Sequence, residues 1–274
     1  MQVTVITGCS SGIGMAAAVA FARRGDQVVA TMRRPDAAAA LHAALAVEGL
    51  AVDVRALDVA ADDSVTTAMA SILADYGHID VVVSNAGIGC DGTTEELTIA
   101  DFRAVLETNT LGTVRLLHAV LPSWRERGAG RFISVGSMAG VVGQPFHDAY
   151  CASKFAVEGL LESLHPVIAP FGISVSIVEP GPVASAFHEK LSPPPSRLAD
   201  GAYAESRARF RAFQDVTDAG AQSNAEVADV IVEVAASEHP VLRYQTSEIV
   251  QRLIGRKLKD MNGRRVTDLT SGWV

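Results

Sequence analysis

A doubly wound parallel α/β sheet is the fold this sequence predicts, and three observations predict it. Short apolar runs rich in Val and Ile recur at 3–7, 27–32, 51–57, 79–84, 131–136, 173–179 and 242–246. Longer stretches at 13–24, 64–76, 102–121, 152–168 and 224–236 return an apolar residue every three or four places, the spacing of an amphipathic helix. Strands apolar on both faces that alternate with helices need a cover on each side, and a parallel sheet between two helical layers provides it.

The first strand, 3–7, runs into Thr7-Gly8-Cys9-Ser10-Ser11-Gly12-Ile13-Gly14 and then the first helix. Glycines there let the chain turn tightly and let backbone N–H groups and a positive helix end approach a pyrophosphate. A glycine-rich turn also serves any strand-to-helix junction, but its place directly after the first strand points to a dinucleotide. The second strand, 27–32, should end beside the adenosine ribose, where an NAD site wants a carboxylate. It reads Thr31-Met32-Arg33-Arg34. A guanidinium suits a 2′-phosphate, as does the hydroxyl of Ser10 or Ser11, so NADP is expected over NAD. Asp36 keeps NAD open, as does the alternative that Arg33 and Arg34 are a solvated strand end.

Strand 131–136 delivers Ser137 to the carboxyl edge of the sheet, where such folds bind ligands. Thirteen residues on (150 − 137 = 13), Tyr150-Cys151-Ala152-Ser153-Lys154 opens a helix. The gap of four (154 − 150) puts phenol and amine on one helical face. An adjacent ammonium favours phenolate, so the pair is expected to exchange protons near neutral pH; the alternative is a Tyr packed on a Lys stem. Val141, Val142, Pro145 and Phe146 follow Ser137, and Val183 and Phe187 follow the sixth strand, which would surround a reacting carbon with apolar side chains. Ordinary core packing is the competing reading of each. His147 could contact a substrate or be a satisfied structural histidine. Pro193-Pro194-Pro195 and an Arg/Ala-rich stretch interrupt the alternation between about 184 and 222, read as a lid on a single domain or a surface excursion.

Composition narrows the class. The 274 residues are 49% hydrophobic and carry 31 acidic against 23 basic side chains, a net charge of −8. That balance argues against nucleic acid or an anionic membrane as the main partner. Cys9, Cys90 and Cys151 and the seven histidines show no disulfide or metal-ligand spacing, so no metal is expected. No apolar run is long enough to span a bilayer and no basic leader opens the chain, so a cytoplasmic protein is expected.

Taken together, Thr7-Gly8-x-x-x-Gly12-x-Gly14, Asn85-Ala86-Gly87, Asn109, Ser137, Tyr150-x-x-x-Lys154 and Pro180-Gly181 resemble the short-chain dehydrogenase/reductase family, in the family's order and over essentially the whole chain. The resemblance implies a Rossmann fold, a nicotinamide cofactor and a small-molecule carbonyl or alcohol substrate. It implies that Tyr150 is the general acid or base, that Lys154 lowers its pKa and holds the nicotinamide ribose, and that Ser137 binds the substrate oxygen. Asn109 would hold a water linking Lys154 to solvent. Asp58 and Val59 would meet the adenine, Asn85, Ala86 and Gly87 its ribose, and Pro180, Gly181 and Val183 the nicotinamide. Ser84 stands where the family usually has Asn, and Ser185 where Thr often binds the carboxamide.

Further stretches are similar to the hydroxysteroid and retinol dehydrogenase branch, among them Ala30-Thr31-Met32-Arg33, Glu158-Gly159-Leu160 and Leu242-Arg243-Tyr244. That branch implies a ketone or alcohol, or a retinoid-like aldehyde, on a bulky apolar skeleton. A histidine used there near the substrate's far end aligns with Ala208. By the same resemblance, helices 102–121 and 152–168 would join subunits of a homodimer or homotetramer, with Leu160, Leu161 and Leu164 continuing the face. A cofactor-sensing binding protein on the same fold is the alternative, since it would keep the glycine turn and lose the proton-transfer set.

Overall fold

Seven strands, β1 (Val3–Thr7), β2 (Gln27–Met32), β3 (Asp53–Ala56), β4 (Val81–Ser84), β5 (Gly130–Val135), β6 (Ile173–Glu179) and β7 (Arg243–Gln245), pair in parallel in one sheet. Their spatial order is β3-β2-β1-β4-β5-β6-β7. The computed structural model describes residues 1–184 and 201–257, with 261, 262 and 264. Winding reverses between β1 and β4, and at such a switch point the outgoing loops part and leave a crevice at the carboxyl edge.

Alternation along each strand feeds two cores. Ile6, Val28 and Ala30 point to one face, where α1 (Gly12–Arg24), α2 (Ala39–Glu48) and α8 (Asn224–Ala236) cover them with Phe21, Leu41, Leu45 and Ile231. Val5, Val29 and Val82 point to the other, under α3 (Asp62–Tyr76), α5 (Gly112–Arg127) and α6 (Asp148–Ile168), which contribute Ile72, Leu116, Trp124, Val157 and Leu161. Each fully buried side chain of this size stabilises the fold by about 1.5–3 kcal/mol.

The expected strands and helices recur with small shifts in their ends. Helix 102–121 is a longer, interrupted element: α4 (Ile99–Leu106), a π-helical turn at Glu107–Leu111, then α5. Leu161 is wholly buried in the core, so it cannot continue a subunit face; Leu160 and Leu164 are partly exposed. Three helices escaped the periodic reading: α2, α7 (Ala204–Asp218) and α9 (Glu248–Lys257). No helix among the described residues is long and apolar enough to cross a membrane.

Candidate active site

Backbone contacts hold the glycine turn between the ends of β2 and β4. The N–H groups of Asn85 and Ala86 both donate to the Thr7 hydroxyl at 3.0 Å, Asn85 Nδ2 donates to Thr7 O at 2.8 Å, and Cys9 N–H donates to Thr31 O at 3.0 Å. Gly8 and Gly12 take φ +76° and +64°, a region that favours glycine. A Cβ on Gly14 would stand 2.5 Å from Gly8 O and 2.4 Å from Asn85 Nδ2. The turn is thus bare backbone leading into α1, whose first turn carries no acidic side chain. A bare cradle under a positive helix end fits a pyrophosphate. Ser10, Ser11 and Ile13 are partly exposed on this turn.

Around it lie the other nucleotide-side residues. Arg33 and Arg34 are exposed just past β2 and form no salt bridge with a described residue. Asp36 lies in the short turn Pro35–Ala37. Asp58 Oδ1 accepts from Ala60 N–H at 3.0 Å, and Asp58 N–H donates to Ser64 Oγ at 2.9 Å, which fixes the loop after β3. Val59 packs so tightly on α5 that a Cβ on Gly112 would meet it at 2.9 Å. A Cβ on Gly87 would meet Asn109 Oδ1 at 3.2 Å, bringing the loop after β4 against the π-helical turn.

Ser137, Tyr150 and Lys154 converge beside β5. Ser137 accepts from Ala139 N–H at 3.1 Å and caps the turn Met138–Gly140. Its hydroxyl is near enough to the Tyr150 phenol to favour the phenolate. One turn further along α6, Lys154 Nζ donates to Val135 O at 2.8 Å and lies 5.7 Å from the centre of the Tyr150 ring. Asn109, buried in the π-helical turn, is held on three sides: Oδ1 accepts from Ile88 N–H, and Nδ2 donates to Ile88 O and Ser153 Oγ, each at 2.9 Å. Pro180 O accepts from Met138 N–H at 2.9 Å, and Gly181 is closed against α9, where a Cβ would meet Val250 at 2.8 Å.

The electrostatics differ from the sequence expectation. Burial pushes the Tyr150 phenol up to about 12, with the Ser137 hydroxyl pulling the other way. Burial likewise pushes Lys154 down to about 8, opposed by the charge of Glu158. Desolvation therefore sets the direction of both shifts, and the phenol keeps its proton at neutral pH.

On the substrate side, Val142 is partly buried against Val141, Val250 and Ile254 of the α9 cluster, and Pro145 is exposed. Phe146 is buried at φ +62°, a conformation that costs an L-residue about 1–2 kcal/mol. α7 holds it: the Arg207 guanidinium is 4.5 Å above the Phe146 ring and Phe210 is 5.7 Å away. Arg207 is itself anchored at 2.6 Å to the buried Glu96, and His147 faces Asp91 at 2.9 Å. Val183 bridges to Gln222, which ties the segment after β6 to the far end of α7. Ser185 and Phe187 lie outside the described residues. Arg207, Phe210 and the Glu96 anchor were not legible in the sequence; an Arg/Ala-rich helix gives little apolar period to find.

A model of the short chain dehydrogenase family matches residues 2–195. The chain is 39% identical over 276 residues to human 17-beta-hydroxysteroid dehydrogenase type 1, covering 95% of this chain and 82% of that protein. It is 39% identical to bovine retinol dehydrogenase 8, covering 96% and 86%. A solved short-chain dehydrogenase from Streptomyces avermitilis superposes with a TM-score of 0.78 at 30% identity, over 99% of this chain and 97% of that one. Matches of that extent, on a seven-stranded doubly wound sheet carrying the motif residues in order, place the protein in the short-chain dehydrogenase/reductase family of oxidoreductases.

Proposed function

We propose that the protein is an NADP(H)-dependent oxidoreductase that interconverts a ketone and a secondary alcohol, or a retinoid-like aldehyde and alcohol, on a bulky apolar skeleton. The observation that carries this reading is Tyr150: a phenol beside Ser137, with the Lys154 amine 5.7 Å from its ring. When bound, the nicotinamide supplies or takes the hydride. Tyr150, neutral at pH 7, gives its proton to the carbonyl oxygen and becomes phenolate; in oxidation that phenolate takes the proton of the alcohol. Ser137 orients that oxygen. Lys154 offers a positive charge beside the phenol as it loses its proton, and Asn109 fixes the loop at Ile88 against α6 through Ser153.

Gly8, Gly12 and Gly14 leave room for the pyrophosphate, and Asn85, Ala86 and Gly87 would run beneath the adenine ribose. Arg33 supports NADP, because its guanidinium is exposed where a 2′-phosphate would lie and has no carboxylate to satisfy it among the described residues. Phe146 and Val183, with Ser185 and Phe187, belong to the substrate and nicotinamide side of the same proposal, and the segment 184–222 is its lid. The relatives named for steroid and retinol substrates favour a bulky apolar carbonyl compound. The protein is read as cytoplasmic and as a homodimer or homotetramer.

Oxidation of NADPH in the presence of a panel of bulky apolar ketones and aldehydes tests this directly. Turnover with at least one of them is expected. Tight NADPH binding with no turnover across the panel would replace the enzyme with a cofactor sensor.

A further inference from the structure

Two stretches that this chemistry leaves unused, around Glu158 on α6 and Arg243 on β7, meet in space with Glu179 at the end of β6. Arg243 Nε donates to Glu158 Oε2 at 2.8 Å and lies 3.6 Å from Glu179 Oε1, and its Nη2 pairs with Glu162. Gln245 Nε2 donates to Glu179 Oε2 at 2.6 Å. The side chains of Arg243, Glu158 and Glu179 are 7%, 8% and 0% exposed; Glu162 reaches solvent at 32%.

Charge counting makes full ionisation untenable. Three carboxylates against the Arg243 guanidinium and the Lys154 ammonium would leave 2 − 3 = −1 in a nearly dry cluster, and two of the three have no water to spread that charge into. Geometry shows where the proton belongs. Glu158 Oε1 and Glu179 Oε1 are both buried and lack a donor, while the two carboxyl groups are within hydrogen-bonding reach of each other. An ionised carboxylate only accepts, so one proton between these two oxygens satisfies both at once. Burial together with Glu158 accordingly pushes Glu179 up to about 8.

This cluster reaches the proposed chemistry through α6. Glu158 follows Lys154 by one turn (158 − 154 = 4), and the turn after Ser137 packs on both: a Cβ on Gly140 would lie 3.2 Å from Glu158 Cγ and 3.2 Å from Lys154 O. The charged groups around the pair are Lys154 and Glu162 from α6 and Arg243 from β7. Lys257 of α9 is directed elsewhere, donating to Val141 O and lying 4.5 Å from the Phe155 ring.

We propose that Glu158 and Glu179 share a single proton, and that the one negative charge left on the pair, held at Glu158 by Arg243, keeps Lys154 an ammonium. Glu158 is then a positioning residue, acting on the reaction through Lys154. The second half of this inference rests on the role given to Lys154 above; the shared proton does not.

Infrared spectroscopy and the pH profile separate the two halves. At pH 7 the wild-type protein should show a protonated-carboxyl stretch that is lost in E179Q; its absence from wild type overturns the shared proton whatever the protein catalyses. In the reductive direction, the rate should fall as Lys154 loses its charge at high pH. E158Q should move that limb down by about one pH unit, and E158Q/E179Q at least as far, because the opposing charge is gone. E179Q leaves the charge on Glu158 and should leave the limb where it is. NMR titration of the isotope-labelled Lys154 amine reads the same shift without turnover. A Lys154 titration that is the same in wild type, E158Q and the double variant would overturn the coupling.

Discussion

The two sides of the sheet's crevice are held open by different means. On the β1 and β2 side the work is done by backbone: Gly8, Gly12 and Gly14 strip the turn bare, and Thr7 and Asn85 lock it with hydrogen bonds of 2.8–3.0 Å. On the β5 to β7 side it is done by buried charge, with Arg207 on Glu96 and Arg243 among three carboxyl groups. Bare backbone suits a fixed, shared ligand fragment such as a pyrophosphate. Paired charges depend on partners far apart in the chain, so that side can be reshaped for different substrates without disturbing the first.

The contrast breaks most visibly at Arg207. Arg207→Ala leaves Glu96 buried without the Arg207 guanidinium, while Thr93 N–H still donates to it. A loss of about 3 kcal/mol in denaturant unfolding is expected. The KM for a bulky ketone should rise while NADPH affinity stays within about twofold, because Arg207 packs on Phe146 and Glu96, on the substrate side. An equal loss of NADPH affinity would show that the two sides are coupled.

A smaller effect sharpens the other side. Arg33→Glu should weaken NADPH binding by at least about tenfold, or about 1.4 kcal/mol, and improve NADH, as read by fluorescence titration. No change in the preference would remove Arg33 from the 2′-phosphate site. Ketone KM should not move.

A pH slope belongs to the charged side alone. Glu179 binds its proton more tightly in the folded chain, at about 8 against 4.5. Its contribution to stability is complete below pH 4.5 and is lost as the pH rises to 8. Lys154 runs the other way: its folded value of about 8 lies below 10.5, so the unfolded chain holds more protons between pH 8 and 10.5 and stability recovers there. Thermal unfolding across this range should show a dip near pH 8. In E179Q the falling arm should flatten and the rising arm remain.

What the sequence made legible follows the same division. β1, β2 and β6 end where their apolar runs end, because strands buried on both faces leave no doubt about period. The glycine turn was visible because only glycine tolerates positive φ and a 2.5 Å approach at no cost. The π-helical turn at Glu107–Leu111 was not, since one extra residue per turn hardly disturbs a helical pattern. α2 hid in an alanine-rich stretch with only Leu41 and Leu45 buried, and α7 in one dominated by Arg and Ala. Tyr150 and Lys154 were found by spacing, but the direction of the Tyr150 shift was not, because burial is a property of the whole fold. The Arg243 cluster was likewise unreadable: its members come from α6, β6 and β7, and Glu158 and Arg243 are 85 residues apart.

The account turns on a phenol that donates a proton. Tyr150→Phe removes one oxygen from a packed site and leaves the glycine turn untouched. NADPH-dependent reduction of a ketone accepted by the wild-type protein should fall by at least about a hundredfold, with NADPH affinity within about twofold of wild type. A Phe variant that reduces the ketone at close to the wild-type rate would contradict it.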